Sequence, residues 1–162
     1  MKIRMSMIAV LLTAVLGVSA YAQKGSIEGV WSLTEITSTG TDGSTKQMTQ
    51  PSMYLFTKKH YSIIYVNSDK ARPSDNDVDK MTAEQLRDMF VNSFIANAGT
   101  YEYKGGKVTF HPIVAKSPGY MQVGNWVRQS AKIDANTLTL ISDSSNTGPS
   151  TNPSTIKLKR VE

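Results

Sequence analysis

Residues 100–114 read TYEYKGGKVTFHPIV, and this stretch decides the fold. Polar and aromatic residues alternate from Thr100 to Lys104, and alternation resumes at Lys107 with Val108, Phe110 and Val114 on one parity. A side-chain period of two is the signature of a half-buried strand. Gly105 and Gly106 sit between the two runs. A two-residue hairpin turn needs positive φ at its centre, which glycine supplies without a Cβ clash. The stretch therefore predicts an antiparallel hairpin.

Working outward, the same texture repeats. Glu28 to Thr37 carries Val30, Trp31, Leu33 and Ile36; the runs 53–57 and 61–66 are aromatic and β-branched, with Lys58 and Lys59 at a hairpin tip. Residues 122–133, 137–141 and 155–161 complete the set, with 142–154 expected as a polar loop. That makes eight strands joined by short connections. Eight antiparallel strands have two edges to hide, and closure removes both. The expected fold is all-β: an eight-stranded antiparallel up-and-down β-barrel. The interior of such a barrel is either filled by side chains or holds one small ligand.

One segment breaks the pattern. Thr82 and Gln85 fit a capping box, and Leu86, Met89, Phe90, Val91, Phe94 and Ile95 recur at helical spacing. This predicts one helix at about 82–97, stopped at Asn97–Gly99, with its apolar stripe against the sheet or an open barrel end. Residues 67–80 before it are polar and Asp-rich. Asp75, Asp77 and Asp79 begin like a calcium loop, but Lys80 stands where the turn glycine belongs and Leu86 where the bidentate glutamate belongs.

The chain has 162 residues, 40% of them hydrophobic, enough for one domain with a core. It has no cysteine and two histidines, so disulfides, thiol catalysis and cysteine metal sites are excluded, and no metal or cofactor is expected. Its formal charge is +5, of which Lys2 and Arg4 supply two. Those residues precede an apolar run from Met7 to Val18, and Ala20 and Ala22 follow it. This is the pattern of a signal peptide over 1–22, leaving a domain at 23–162 that is exported to the periplasm or beyond, with no stable membrane anchor after cleavage. The remaining charge is mild and carries no demand for a nucleic-acid partner.

Gly29 and Trp31 open the first strand, and Lys157, Lys159 and Arg160 lie in the last; between them come Ala98-Gly-Thr-Tyr-Glu102, Gly105-Gly106, His111 and Arg128, in that order. In these residues the chain resembles the bacterial lipocalin-like domain family, a calycin-type β-barrel, over most of 28–161. It departs from the family at Lys59-His60, where glycine is more usual, and in the length of the 142–154 loop. The resemblance implies a basic residue from the last strand packed across the indole, and a small-molecule cavity.

Candidate ligand-binding residues are Tyr54, Tyr61 and Tyr101, whose hydroxyls need partners when buried, His111, Trp126 and Arg128. Alternation turns His111 outward unless Pro112 breaks the strand, and Arg128 lies on the less apolar parity of its own strand. Three functions stay open. The first is binding of a small, mainly hydrophobic molecule in the cavity. The second is an enzyme (isomerase, cyclase or hydrolase) with His111 as acid/base and Arg128 as anion binder. The third is a structural envelope protein with a filled barrel. An apolar pocket without convergent titratable groups favours the first of these.

Overall fold

The computed structural model describes residues 25–38, 44–68 and 78–162. The expected signal peptide lies outside them. The strands are β1 (Gly29–Ser38), β2 (Thr45–Gln47), β3 (Ser52–Phe56), β4 (His60–Val66), β5 (Phe94–Lys104), β6 (Lys107–Ala115), β7 (Val127–Asp134), β8 (Thr137–Ser145), β9 (Gly148–Pro149) and β10 (Ser154–Arg160). Eight of them form the barrel in the order β10-β1-β3-β4-β5-β6-β7-β8, each antiparallel to its neighbours. Pairing of β10 with both β1 and β8 closes the ring. The short β2 and β9 extend the edges of β1 and β8.

The hairpin expected at Gly105-Gly106 is present, with φ of 59° and 70° and Lys104 opposite Lys107. Inward positions then follow from the period of two. Val108 and Phe110 are buried on β6, Leu138 and Leu140 on β8, Leu158 on β10, and Tyr54 and Phe56 on β3. Of these, Val108, Leu138, Leu140, Leu158 and Phe56 plug one end of the barrel together with Trp31. Full burial of each aliphatic or aromatic side chain is worth about 1.5–3 kcal/mol.

Trp31 has no exposed surface, and its indole Nε1 donates to the Ile27 carbonyl at 2.9 Å. The Arg160 guanidinium carbon lies 4.0 Å from the centre of the indole ring. Arg160 also donates to the carbonyls of Ser26 and Glu28, each at 2.8 Å. The basic residue across the indole is thus a clasp on the plugged end. Gly29, at φ 130°, passes so close that a Cβ there would meet Arg160 Nη1 at 2.5 Å.

A bulge on β6 sets the shape of the other end. Gly99 faces Pro112 and Ala98 faces Val114, which leaves Ile113 as the extra residue. The backbones approach so closely that a Cβ on Gly99 would be driven into the His111 carbonyl oxygen and would meet the Ile113 nitrogen at 2.9 Å. The extra residue inverts the alternation beyond it. Val114, expected beside Val108 and Phe110 on the inner face, is instead 59% exposed.

Three local expectations are revised. The helix is short: α1 spans Ala83–Leu86 and continues as wider π-type turns over Arg87–Asn92. Its capping box is as expected, Gln85 N donating to Thr82 Oγ1 at 3.2 Å and Thr82 N to Gln85 Oε1 at 2.8 Å. Phe94 and Ile95, expected in the helix, pair instead with Val66 and Tyr65 of β4. Without that pairing the backbone groups along one edge of β4 would lose their partners, and ladder bonding overrides the helical spacing. The apolar stripe is not buried: Phe90 is 46% and Val91 57% exposed. The strand expected from 122 begins at Val127, after a 3-10 turn at Pro118–Met121. Within the expected 142–154 loop, β8 runs on to Ser145 and turns back into β9.

Candidate functional site

The barrel is filled at one end only. At the other lies a cavity of about 250 Å³, just below the roughly 300–1,000 Å³ typical of sites for drug-sized ligands. Its floor is Tyr61 and Phe110, whose rings meet edge to face with centroids 4.8 Å apart. Tyr54 and Tyr65, nearly parallel at 6.0 Å, form one wall. Ile63, Ile95, Val127 and Ile156 supply apolar surface, and Asn97, Gln129, Ser142 and Ser154 supply polar atoms. Ser142 and Ser154 bond each other through their hydroxyls at 3.0 Å.

The decisive atom is the Tyr61 hydroxyl. Tyr61 is 3% exposed, and among the described residues its oxygen has no hydrogen-bond partner although it is buried. A buried phenol without a partner is costly, and such a group calls for an explanation. The tyrosine that carries this one lines the cavity.

The electrostatics are neutral. No described residue lining the cavity carries a carboxylate, imidazole, ammonium or guanidinium. Burial pushes the Tyr61 phenol far above its usual pKa, with Tyr120 a second cause. Burial likewise raises Tyr54, with Tyr65 adding to it, and Tyr65, with Tyr120 adding to it. At neutral pH all three are protonated hydrogen-bond donors. Among the described residues no cluster of metal-ligating side chains occurs.

Of the six candidate residues, Tyr54 and Tyr61 come together in the cavity. Tyr101 is inside the barrel toward the plugged end, where its hydroxyl donates to the Thr57 carbonyl at 2.6 Å and its ring meets Phe56 edge to face at 5.4 Å. His111 is on the outer face, its Nε2 3.9 Å from Glu102 Oε1. The bulge falls after Pro112, so Pro112 rather than His111 lines the cavity. Arg128 is outside the cavity; its Nε donates to Thr109 Oγ1 at 3.2 Å, and its guanidinium carbon lies 5.0 Å from the centre of the Trp126 ring.

Several lining residues lie beyond the six. Gln129 shares the inward parity of Val127 and Ile133, and that parity is the signal that finds it. Asn97 and Ile95 are hidden by the helical spacing that runs through them. Ser142, Ser154 and Tyr120 lie in stretches whose composition carries no strand signal.

Comparison with protein-family models, with curated proteins and with solved structures found no match. The class is therefore set by the architecture alone: a closed eight-stranded antiparallel barrel, compatible with a calycin-type fold.

Proposed function

We propose that this protein is an exported, lipocalin-like binder that takes a small, mainly hydrophobic molecule into the mouth of its barrel. The part of the ligand inside the barrel is uncharged, since nothing lining the cavity would balance a charge and burial of an unpaired one is costly. Tyr61 orients it by donating a hydrogen bond. The observation that carries the reading is the unfilled, neutral cavity, lined by a tyrosine whose buried hydroxyl has no protein partner among the described residues. The signal-like segment at 1–22 supports export.

Binding is favoured over catalysis by the same geometry. General acid–base work near neutral pH needs a group that titrates there. The cavity's phenols are shifted away from that range, and His111 is on the outer face. The filled-barrel alternative is disfavoured by the 250 Å³ of unfilled interior.

The test has two arms. Native mass spectrometry of protein from its own host should show a retained small molecule. Titration with 1-octanol, followed by methyl NMR, should shift Ile63, Ile95 and Ile156 and leave Leu138 and Leu140 in place. A clean apo mass together with unmoved cavity methyls refutes the proposal.

A further inference from the structure

Beside the barrel mouth runs a second space, a groove of about 610 Å³. One side is the turn from Gly119 to Asn125, the other the connection from Ser142 to Asn152. Tyr120, Val127 and Ser142 line both the groove and the barrel cavity, so the two spaces meet across these side chains. At this point the β7–β8 ladder is broken: Arg128 pairs with Ser144 and Gln129 with Ser142, which leaves Asp143 as the extra residue. The two spaces differ in chemistry. The cavity is neutral and half apolar, whereas the groove is rich in hydroxyls and amides and is lined by Arg128.

Arg128 is held but not spent. Its Nε is fixed on Thr109 and its guanidinium lies over the Trp126 ring. Among the described residues, its two terminal nitrogens make no hydrogen bond to protein. The other charged residue lining the groove, Asp143, is neutralised by Lys107 at 2.7 Å. The groove therefore has in its lining one arginine with unpaired terminal nitrogens, held at Nε and over the Trp126 ring, the group that recognises a planar or tetrahedral oxyanion.

We infer that the groove is a head-group subsite: the ligand is a small amphiphile whose uncharged tail enters the barrel and whose single acidic group, carboxylate or phosphate, reaches Arg128. The inference rests on the binding function proposed above and names the ligand class that the same mouth selects.

Calorimetry with octanoate, octyl phosphate and 1-octanol, all as monomers, tests it. At least one of the two acids should bind about tenfold more tightly than the alcohol, the size expected of a charge-assisted hydrogen bond. That advantage should shrink with added salt. Arg128→Gln should bring the ratio of acid to alcohol affinity close to one. Ser154→Phe, which fills the cavity, should weaken acid and alcohol alike, and thermal melts confirm that both variants fold. Preference for octyl phosphate over octanoate, lost in Arg128→Gln, supports the subsite and identifies its anion. If the acids bind no better than 1-octanol, or their advantage survives Arg128→Gln, the head-group subsite is wrong while the cavity stands. If the acids bind unchanged in Ser154→Phe, the groove acts alone and the spanning ligand is wrong. If 1-octanol does not bind at all, the cavity function itself fails.

Discussion

Tyr61→Phe deletes one oxygen atom and leaves the ring that floors the cavity. The hydroxyl it removes is buried and has no protein partner. An unsatisfied buried polar group costs about 1–3 kcal/mol. The oxygen is sealed by the side chains around it, and the lower end of that range, about 1 kcal/mol, is taken as the minimum gain. The variant should therefore be more stable than the parent by at least about 1 kcal/mol. Tyr101→Phe is the matched control, because its hydroxyl donates to the Thr57 carbonyl at 2.6 Å. Loss of that bond should cost about 1 kcal/mol. For a domain of this size each kcal/mol moves Tm by roughly 3–5 °C. The two variants should then differ by about 6–10 °C or more, with opposite signs relative to the parent, in calorimetric and urea melts of ligand-free protein. A Tyr61→Phe protein that loses stability as Tyr101→Phe does would show that the Tyr61 hydroxyl bonds within the protein. The cavity would then lack its orienting donor.

Other consequences are as direct. Gly99→Ala forces a Cβ into backbone atoms of β6 that have nowhere to move, and it should cost about 3 kcal/mol or more in urea melts; a loss under 1 kcal/mol would contradict the close approach. The raised phenols of Tyr54, Tyr61 and Tyr65 make the folded state hold its protons longer than the unfolded chain. Their contribution is complete below pH 10 and is lost as pH rises through the folded values, so stability should fall on the alkaline side. In a spectrophotometric titration at alkaline pH, part of the phenolate absorbance should appear only with the loss of β circular dichroism. On the acid side, Glu35 is held below its ordinary value of 4.5, chiefly by Lys157 at 2.6 Å and then by Gln47. That contribution is present above about pH 4.5 and is lost as pH falls through the lower folded value, so Tm should drop less steeply with acid in Glu35→Gln than in the parent.

What the sequence discloses depends on whether the signal is local. The Gly105-Gly106 hairpin, the inward parity of Val108 and Phe110, and the Thr82–Gln85 cap need only neighbours in the chain, and they are legible. The clasp of Arg160 on Trp31 joins the two ends of the domain; it is visible through a family resemblance and not through spacing. The bulge at Ile113 is half legible: Pro112 marks a break in β6, but that the extra residue follows Pro112, reversing Val114 and leaving His111 outside, depends on the close approach of Gly99 on a different strand. The helix is overread for a related reason. Phe94 and Ile95 fit a helical stripe, but the open edge of β4 recruits them, and edges are a property of the sheet. Tyr54 and Tyr61 can be named as candidate cavity residues because buried phenols need partners. Which tyrosines keep one depends on depth in the barrel: Tyr101 meets the Thr57 carbonyl, whereas the Tyr61 hydroxyl is buried without a partner among the described residues.

The clasped end has a consequence for how this architecture can change. Trp31, Phe56, Leu138, Leu140 and Leu158 are sealed together and none of them lines the cavity, so much of the free energy that keeps the chain folded is held away from the mouth. Substitutions around the rim then draw little on that reserve. A descendant of this chain could exchange Asn97, Gln129 or Ser154 for other side chains, and so reshape the cavity, while melting at nearly the same temperature.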